Sequence, residues 1–209
     1  MKSIIAFGDS NTWGLVPGSK SLERFSDDVR WTGVLQKKLN NAKVIEEGLC
    51  GRTTVFEDEF RNGRRGISSL PVILESQYPI DVAIIMLGTN DCKKVYAASP
   101  YIIGRGIELC LDELEKSIDK DKILLVSPIH LGENVWKPEK DPEFDTESVE
   151  KSKNLKEVYY KIAKERGINF LAASDYIKAD EKDDEHLNAD GHKIFADVVF
   201  DKLKEMKAV

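Results

Sequence analysis

Cationic excess is missing from this chain of 209 residues: 31 Lys and Arg stand against 37 Asp and Glu, a formal net charge of -6. A groove built to neutralise nucleic-acid phosphates needs clustered Lys and Arg, so nucleic-acid binding is excluded as the main role. The densest basic run, Arg61-Asn62-Gly63-Arg64-Arg65, follows Glu57, Asp58 and Glu59 and reads as a solvated loop. Long apolar runs are missing too, and none approaches the ~18 residues needed to span a membrane. The run after Met1-Lys2-Ser3 stops at Gly8, too short for the core of an export signal. Cysteine is scarce. Cys50, Cys92 and Cys110 are odd in number and lack paired metal spacing, so free thiols in a reducing compartment are expected. Together these absences predict a cytoplasmic protein with no membrane or nucleic-acid partner.

What is present is an ordinary globular balance, 41% hydrophobic and 33% charged, in a length that suits a single domain over residues 1–209. Short runs rich in Ile and Val, at 3–7, 43–45, 82–87, 123–126 and more weakly 168–171, read as buried parallel strands because they do not alternate cleanly with polar residues. Helical spacing fills the intervals. It marks 31–39, a short helix at 67–75 interrupted early by Pro71, 102–118, 148–166 ending at Gly167, and a last helix starting near Asn188. Strand and helix thus alternate throughout, which predicts a three-layer αβα domain on a mainly parallel sheet. The stretch 131–146, with Pro138 and Pro142 among many charges, is irregular. Trp136 and Phe144 within it suit either a lid or a subunit contact.

In such a sheet, ligands bind beyond the carboxyl ends of the strands. Three polar segments fall there: Gly8-Asp9-Ser10-Asn11 after the first strand, Gly88-Thr89-Asn90-Asp91 after the third, and Asp183-Asp184-Glu185-His186 before the last helix. A serine needs a base within reach to become nucleophilic. Only His130, His186 and His192 are available, and His186 has Asp183 three residues earlier to orient it. His192, inside the last helix, reads as a packed or capping residue, while His130 suits a site or a structural role equally. Asn90 can offer an amide N–H to a developing oxyanion, beside the backbone N–H groups of Ser10 and Gly51. Asp91 would anchor that loop through Arg52 or another base. Taken singly, each segment also suits an ordinary turn.

No two histidines have zinc-pair spacing, and residues 180–185 lack the alternation and central glycine of a calcium loop, so no metal is expected. The glycines of 8–14 match neither dinucleotide nor P-loop spacing, which leaves no case for a nucleotide cofactor. A catalytically silent binding module would be expected to lack one of the three reactive groups, and none is missing.

The chain resembles the SGNH, or GDSL-type, hydrolases. Their four blocks correspond here to Ser10 in Gly8-Asp9-Ser10, Gly51, Asn90 in Gly88-Thr89-Asn90-Asp91, and Asp183 with His186, in order across residues 8–186. Residues 7–14, 30–35, 46–49 and 84–91 are most similar to bacterial arylesterases and acyltransferases. The resemblance implies a flavodoxin-like five-stranded parallel sheet, cofactor-free hydrolysis of a small ester through an acyl-enzyme, acyl transfer to alcohols, and a homo-oligomer. The same family includes carbohydrate O-acetylesterases. Two positions depart from familiar relatives. Asp184 and Glu185 stand where glycine and an aliphatic residue are common, and Gly51 stands where some relatives have alanine, a change expected to be harmless because the donor is backbone. Trp13 and Leu15 are expected to offer an apolar wall to the substrate. Glu185 is expected at the pocket mouth, disfavouring long acyl chains, or else pointing freely into solvent.

Overall fold

A computed structural model describes all residues, 1–209. Five strands, β1 (Lys2–Gly8), β2 (Ala42–Gly48), β3 (Val82–Met86), β4 (Ile123–Ser127) and β5 (Asn169–Ala172), form one sheet in the order β2-β1-β3-β4-β5. All pairings are parallel; Ile4 lies opposite Val44 on one side and Val82 on the other. The six α-helices are α1 (Ser10–Trp13), α2 (Trp31–Lys38), α3 (Gly66–Ser76), α4 (Pro100–Leu114), α5 (Thr146–Arg166) and α6 (Ala189–Glu205).

The unbroken apolar runs make sense as strands covered on both faces. Along β1, Ile5 and Phe7 point into a core shared with Leu70 and Leu74 of α3, Ile103 and Ile107 of α4, and Leu155 and Tyr159 of α5. Ile4 and Ala6 point the other way, onto Trp31 and Leu35 of α2 and Phe195 and Val199 of α6. Burying both sets of a period-two strand requires helices on both sides, which gives the three-layer αβα sandwich. Trp31 meets Phe195 edge-on, with ring centroids 5.1 Å apart.

Helix ends follow local chemistry. Asp145 and Ser148 form a reciprocal capping box at the start of α5, which ends on Gly167 at φ 70°. Asn188 accepts from the Gly191 N–H at 2.9 Å to start α6. Two helices depart from expectation. Pro71 does not interrupt α3, because it removes one backbone donor while Leu70 and Leu74 on either side remain buried. Helix α4 starts earlier, at Pro100 behind the Ser99 cap, and ends at Leu114, so Ile118 reaches the core from beyond the helix. The four-residue α1 is too short for its spacing to be read.

Candidate active site

The chain turns sharply at the end of β1. Asp9 caps α1 by accepting from the Asn11 N–H at 3.0 Å. A side chain at Gly8 would lie 2.1 Å from the Thr12 hydroxyl, so only glycine lets α1 fold back over the strand end. This turn sets Ser10 at the carboxyl edge of the sheet with 3% of its surface exposed.

His186 reaches Ser10 from the loop ahead of α6. Its Nε2 lies 2.9 Å from Ser10 Oγ, and its Nδ1 lies 2.9 Å from Asp183 Oδ2. The carboxylate can only accept, so Nδ1 carries a proton, and in the neutral ring Nε2 is free to accept from the serine hydroxyl. Asp183 also accepts from the N–H groups of Glu185 and His186 through Oδ1 and from the Gly18 N–H through Oδ2. Burial would raise the Asp183 carboxyl, but the hydrogen bond and charge of His186, with the N–H groups of His186 and Glu185, hold it well below the usual carboxylate range.

The other predicted donors converge here as well. Asn90 is 2% exposed, and its amide donates one hydrogen to the Arg52 carbonyl at 3.1 Å, which leaves the second free. The backbone N–H groups of Ser10 and Gly51 have no acceptor within the protein. Gly51 is not freely exchangeable for alanine in this chain: its φ is 82°, and a Cβ would lie 2.7 Å from Arg61 Nη1. The anchor of Asp91 is also different from expectation. Asp91 holds Thr54, whereas Arg52 donates to the Gly8 and Glu47 carbonyls and lies over the Phe7 ring. Asn11 was missed altogether. Its amide donates to the Glu185 carbonyl at 3.2 Å and accepts from the Leu187 N–H at 2.9 Å, fastening the His186 loop to α1.

Glu185 does not point freely into solvent. It is 6% exposed, with Oε1 3.7 Å from His186 Nε2. Burial pushes its carboxyl up to about 7, against the pull of His186 and Lys93. Burial would lower His186, but the charge of Glu185 and the hydrogen bond and charge of Asp183, helped by Asp9, push it up to about 9. Trp13 and Leu15 are half-buried. The Leu15 N–H donates to the Ser10 carbonyl, and Arg24 lies 5.1 Å over the Trp13 ring. A cleft of about 370 Å³ opens beside Lys93, lined also by Glu57, Phe60, Tyr96 and Glu143.

The remaining histidines stand apart. His192 is fully buried and its Nδ1 accepts from the Trp31 N–H at 3.3 Å, a packed role. His130 is half-buried and hydrogen-bonds to neither Ser10 nor His186. Segment 131–146 rests on the His186 loop: Asp184 accepts from the Asn134 N–H and from Lys140, and its carbonyl accepts from Gly132. Phe144, expected at a lid or interface, is instead 1% exposed, since it sits just before the Asp145 cap and packs into the core. Trp136 is 37% exposed. No group of three or more His, Cys, Asp and Glu side chains is arranged to hold a metal, and no helix is long and apolar enough to cross a membrane.

A serine hydroxyl, an imidazole and a carboxylate thus stand in line at the carboxyl edge of a doubly covered parallel sheet, where ligands bind in α/β proteins. The chain belongs to the GDSL-like lipase/acylhydrolase family, whose model matches residues 6–194. An aryl esterase from M. smegmatis is similar at 32% identity and a TM-score of 0.90, over 99% of this chain and 100% of that one. A carbohydrate acetylesterase from Sinorhizobium meliloti is similar at 32% identity and 0.88, with the same coverage. A lipase/acylhydrolase from Enterococcus faecalis, at 18% identity and 0.69 over 98% of this chain and 96% of that one, shares the fold. No curated protein matches the chain in sequence. The flavodoxin-like SGNH fold and the assignment as a carboxylic ester hydrolase stand on these likenesses.

Proposed function

We propose that the protein hydrolyses small short-acyl or aryl esters through an acyl-enzyme on Ser10, with His186 as base and Asp183 as its orienting carboxylate. The observation that carries this reading is the unbroken chain Asp183–His186–Ser10, with both contacts at 2.9 Å. Ser10 Oγ attacks the ester carbonyl while His186 Nε2 takes its proton. The oxyanion is received by the N–H groups of Ser10 and Gly51 and the free amide hydrogen of Asn90. The imidazolium then gives its proton to the departing alcohol. A water, or a second alcohol in a transfer reaction, attacks the acyl-enzyme with His186 again as base and restores Ser10. No metal or cofactor enters this sequence.

A fluorophosphonate is expected to label Ser10 alone, and Ser10→Ala to abolish aryl acetate hydrolysis apart from the residual rate that oxyanion binding gives. Labelling elsewhere, or an active variant, removes the assignment. Carbohydrate O-acetyl hydrolysis is the second reading, favoured by the likeness to the S. meliloti enzyme at the same identity as the aryl esterase. Rates on aryl acetates against acetylated sugars separate the two. Three free, buried cysteines suit a cytoplasmic setting, which cell fractionation checks. The protein acts as a homo-oligomer, with Trp136 at the contact; a monomer by light scattering at micromolar concentration ends that idea.

A further inference from the structure

Glu185 immediately precedes His186, and its buried surroundings give it a role beyond lining a pocket. Its backbone is fixed at both ends: the N–H donates to Asp183 Oδ1 at 3.0 Å, and the carbonyl accepts from Asn11. The side chain is therefore placed by the loop that carries His186. It points back to the imidazole, bringing Oε1 to 3.7 Å from Nε2, the same nitrogen that meets Ser10 at 2.9 Å. The carboxylate makes no hydrogen bond of its own.

The charged groups around it decide its partner. Lys93, from the turn after β3, is attractive, but its ammonium is already hydrogen-bonded to Glu143 and lies over the Phe144 ring. Asp141, from segment 131–146, and Asp183, on the same loop, are repulsive. Cys50, from the loop after β2, is a buried thiol pushed up to about 11 by burial and by Asp9, and carries no charge to compensate. Asp9, beside Ser10, faces the imidazole too and shares the sign of Glu185. Two cations therefore face Glu185, the His186 imidazolium with the stronger pull and Lys93 with the weaker.

We propose that Glu185 is a positioning residue for the base: with Asp183 on Nδ1 and Glu185 at Nε2, it holds His186 as a resting imidazolium that cannot accept from Ser10. Deprotonation of His186 then frees Nε2 for the serine and switches hydrolysis on. This rests on the triad roles proposed above. The raised titration of His186 is in the direction such a pair requires, while Glu185 is raised by its burial and pulled back down by the imidazolium. Function follows from the trade-off. The second carboxylate makes the imidazole a stronger base, yet keeps most molecules inactive at neutral pH, so that activity rises in the alkaline range.

The test is the pH dependence of kcat/KM for an aryl acetate, with the titration of the His186 ring followed by NMR. Wild type is expected to show an acid limb and a ring midpoint well above an ordinary imidazole. Glu185→Gln is expected to move both down together by about one to two pH units, making the variant roughly tenfold faster than wild type near pH ~6.5. Glu185→Met fills the same buried space without a charge and is expected to give the same shift should the amide variant fold poorly. A wild-type ring midpoint near ~6.5 overturns the proposal. Superimposable pH profiles in wild type and variants also overturn it. The NMR midpoint does not depend on turnover, so a failure of the triad assignment, seen as an active Ser10→Ala enzyme, is told apart from a failure of this one.

Discussion

Asp91 accepts from the backbone N–H of Thr54 at 2.9 Å and from its hydroxyl, tying the loop after β3 to the loop after β2. Both residues are fully buried. Asn90 and Gly51, the proposed side-chain and backbone oxyanion donors, ride on those two loops. Their relative placement therefore depends on a contact between residues that themselves touch no substrate.

Asp91→Ala is expected to lower both stability and turnover. It leaves two buried donors on Thr54 without an acceptor, each worth about 1–3 kcal/mol. Part of that loss is offset, because Asp91 is itself a buried acid pushed up to about 6 by desolvation. A net loss of about 2–4 kcal/mol is expected, lowering Tm by ~2–4 °C for each kcal/mol. Thermal unfolding and steady-state kinetics on one preparation check it. An unchanged kcat would mean that the two loops hold their register without this link.

Asn90→Ala is expected to lower kcat by roughly 10²–10³-fold with little change in KM, because the free amide hydrogen gains an acceptor mainly when the carbonyl oxygen takes on charge. The amide's other hydrogen is bound to the Arg52 carbonyl, so the side chain is aimed before substrate arrives. A loss confined to KM would make Asn90 a ground-state binding group.

Much of this site could be read from the chain because its parts lie where buried strands end. The runs at 3–7 and 82–87 end within one residue of the true strand ends, Gly8 and Met86, and so place Ser10 and Asn90 in the turns just beyond them. Asp183 and His186 are three apart, so one local turn brings them together. The supporting contacts were not legible. Asn11 meets Leu187 across 176 residues and Thr54 meets Asp91 across 37, and neither pair leaves a periodic trace. For Glu185 the sequence left two readings, the pocket mouth and free solvent, and its 6% exposure removes the second. An isolated acid avoids burial, and burial pushes this one up to about 7.

Stability should carry a signature of His192. Burial, with a smaller push from His186, lowers its imidazole to about 4, and its Nδ1 must stay unprotonated to accept from the Trp31 N–H. A folded-state value below the unfolded 6.5 means that this contribution is complete above pH 6.5 and is lost as pH falls towards 4. The loss is of order 3 kcal/mol. Buried acids raised by desolvation, Asp9, Asp91 and Glu185, act with the opposite sign in an overlapping range, so the informative quantity is a difference. His192→Gln keeps an acceptor and removes the titration. Urea unfolding of both proteins across this range should show the variant losing less stability on acidification; parallel curves would mean that His192 titrates normally.

Acyl-chain preference offers a check on the substrate side of Glu185. Its carboxylate lies next to the nucleophile and base, and a long alkyl chain laid against it would remove what solvation an already buried acid retains. Acetyl and propionyl esters are therefore expected to be preferred over octanoyl esters, with Trp13 and Leu15 as the proposed apolar wall for the small group. Glu185→Val should move the preference towards longer chains. Because the same substitution is expected to shift the titration of His186, the comparison belongs at a pH above about 9, where wild type and variant both hold the free imidazole. Under that condition a difference in kcat/KM across acyl lengths reports on contact with the acyl chain and not on the fraction of active base. A chain-length profile that is the same in both proteins would place the acyl group elsewhere, and would leave Glu185 acting on His186 alone.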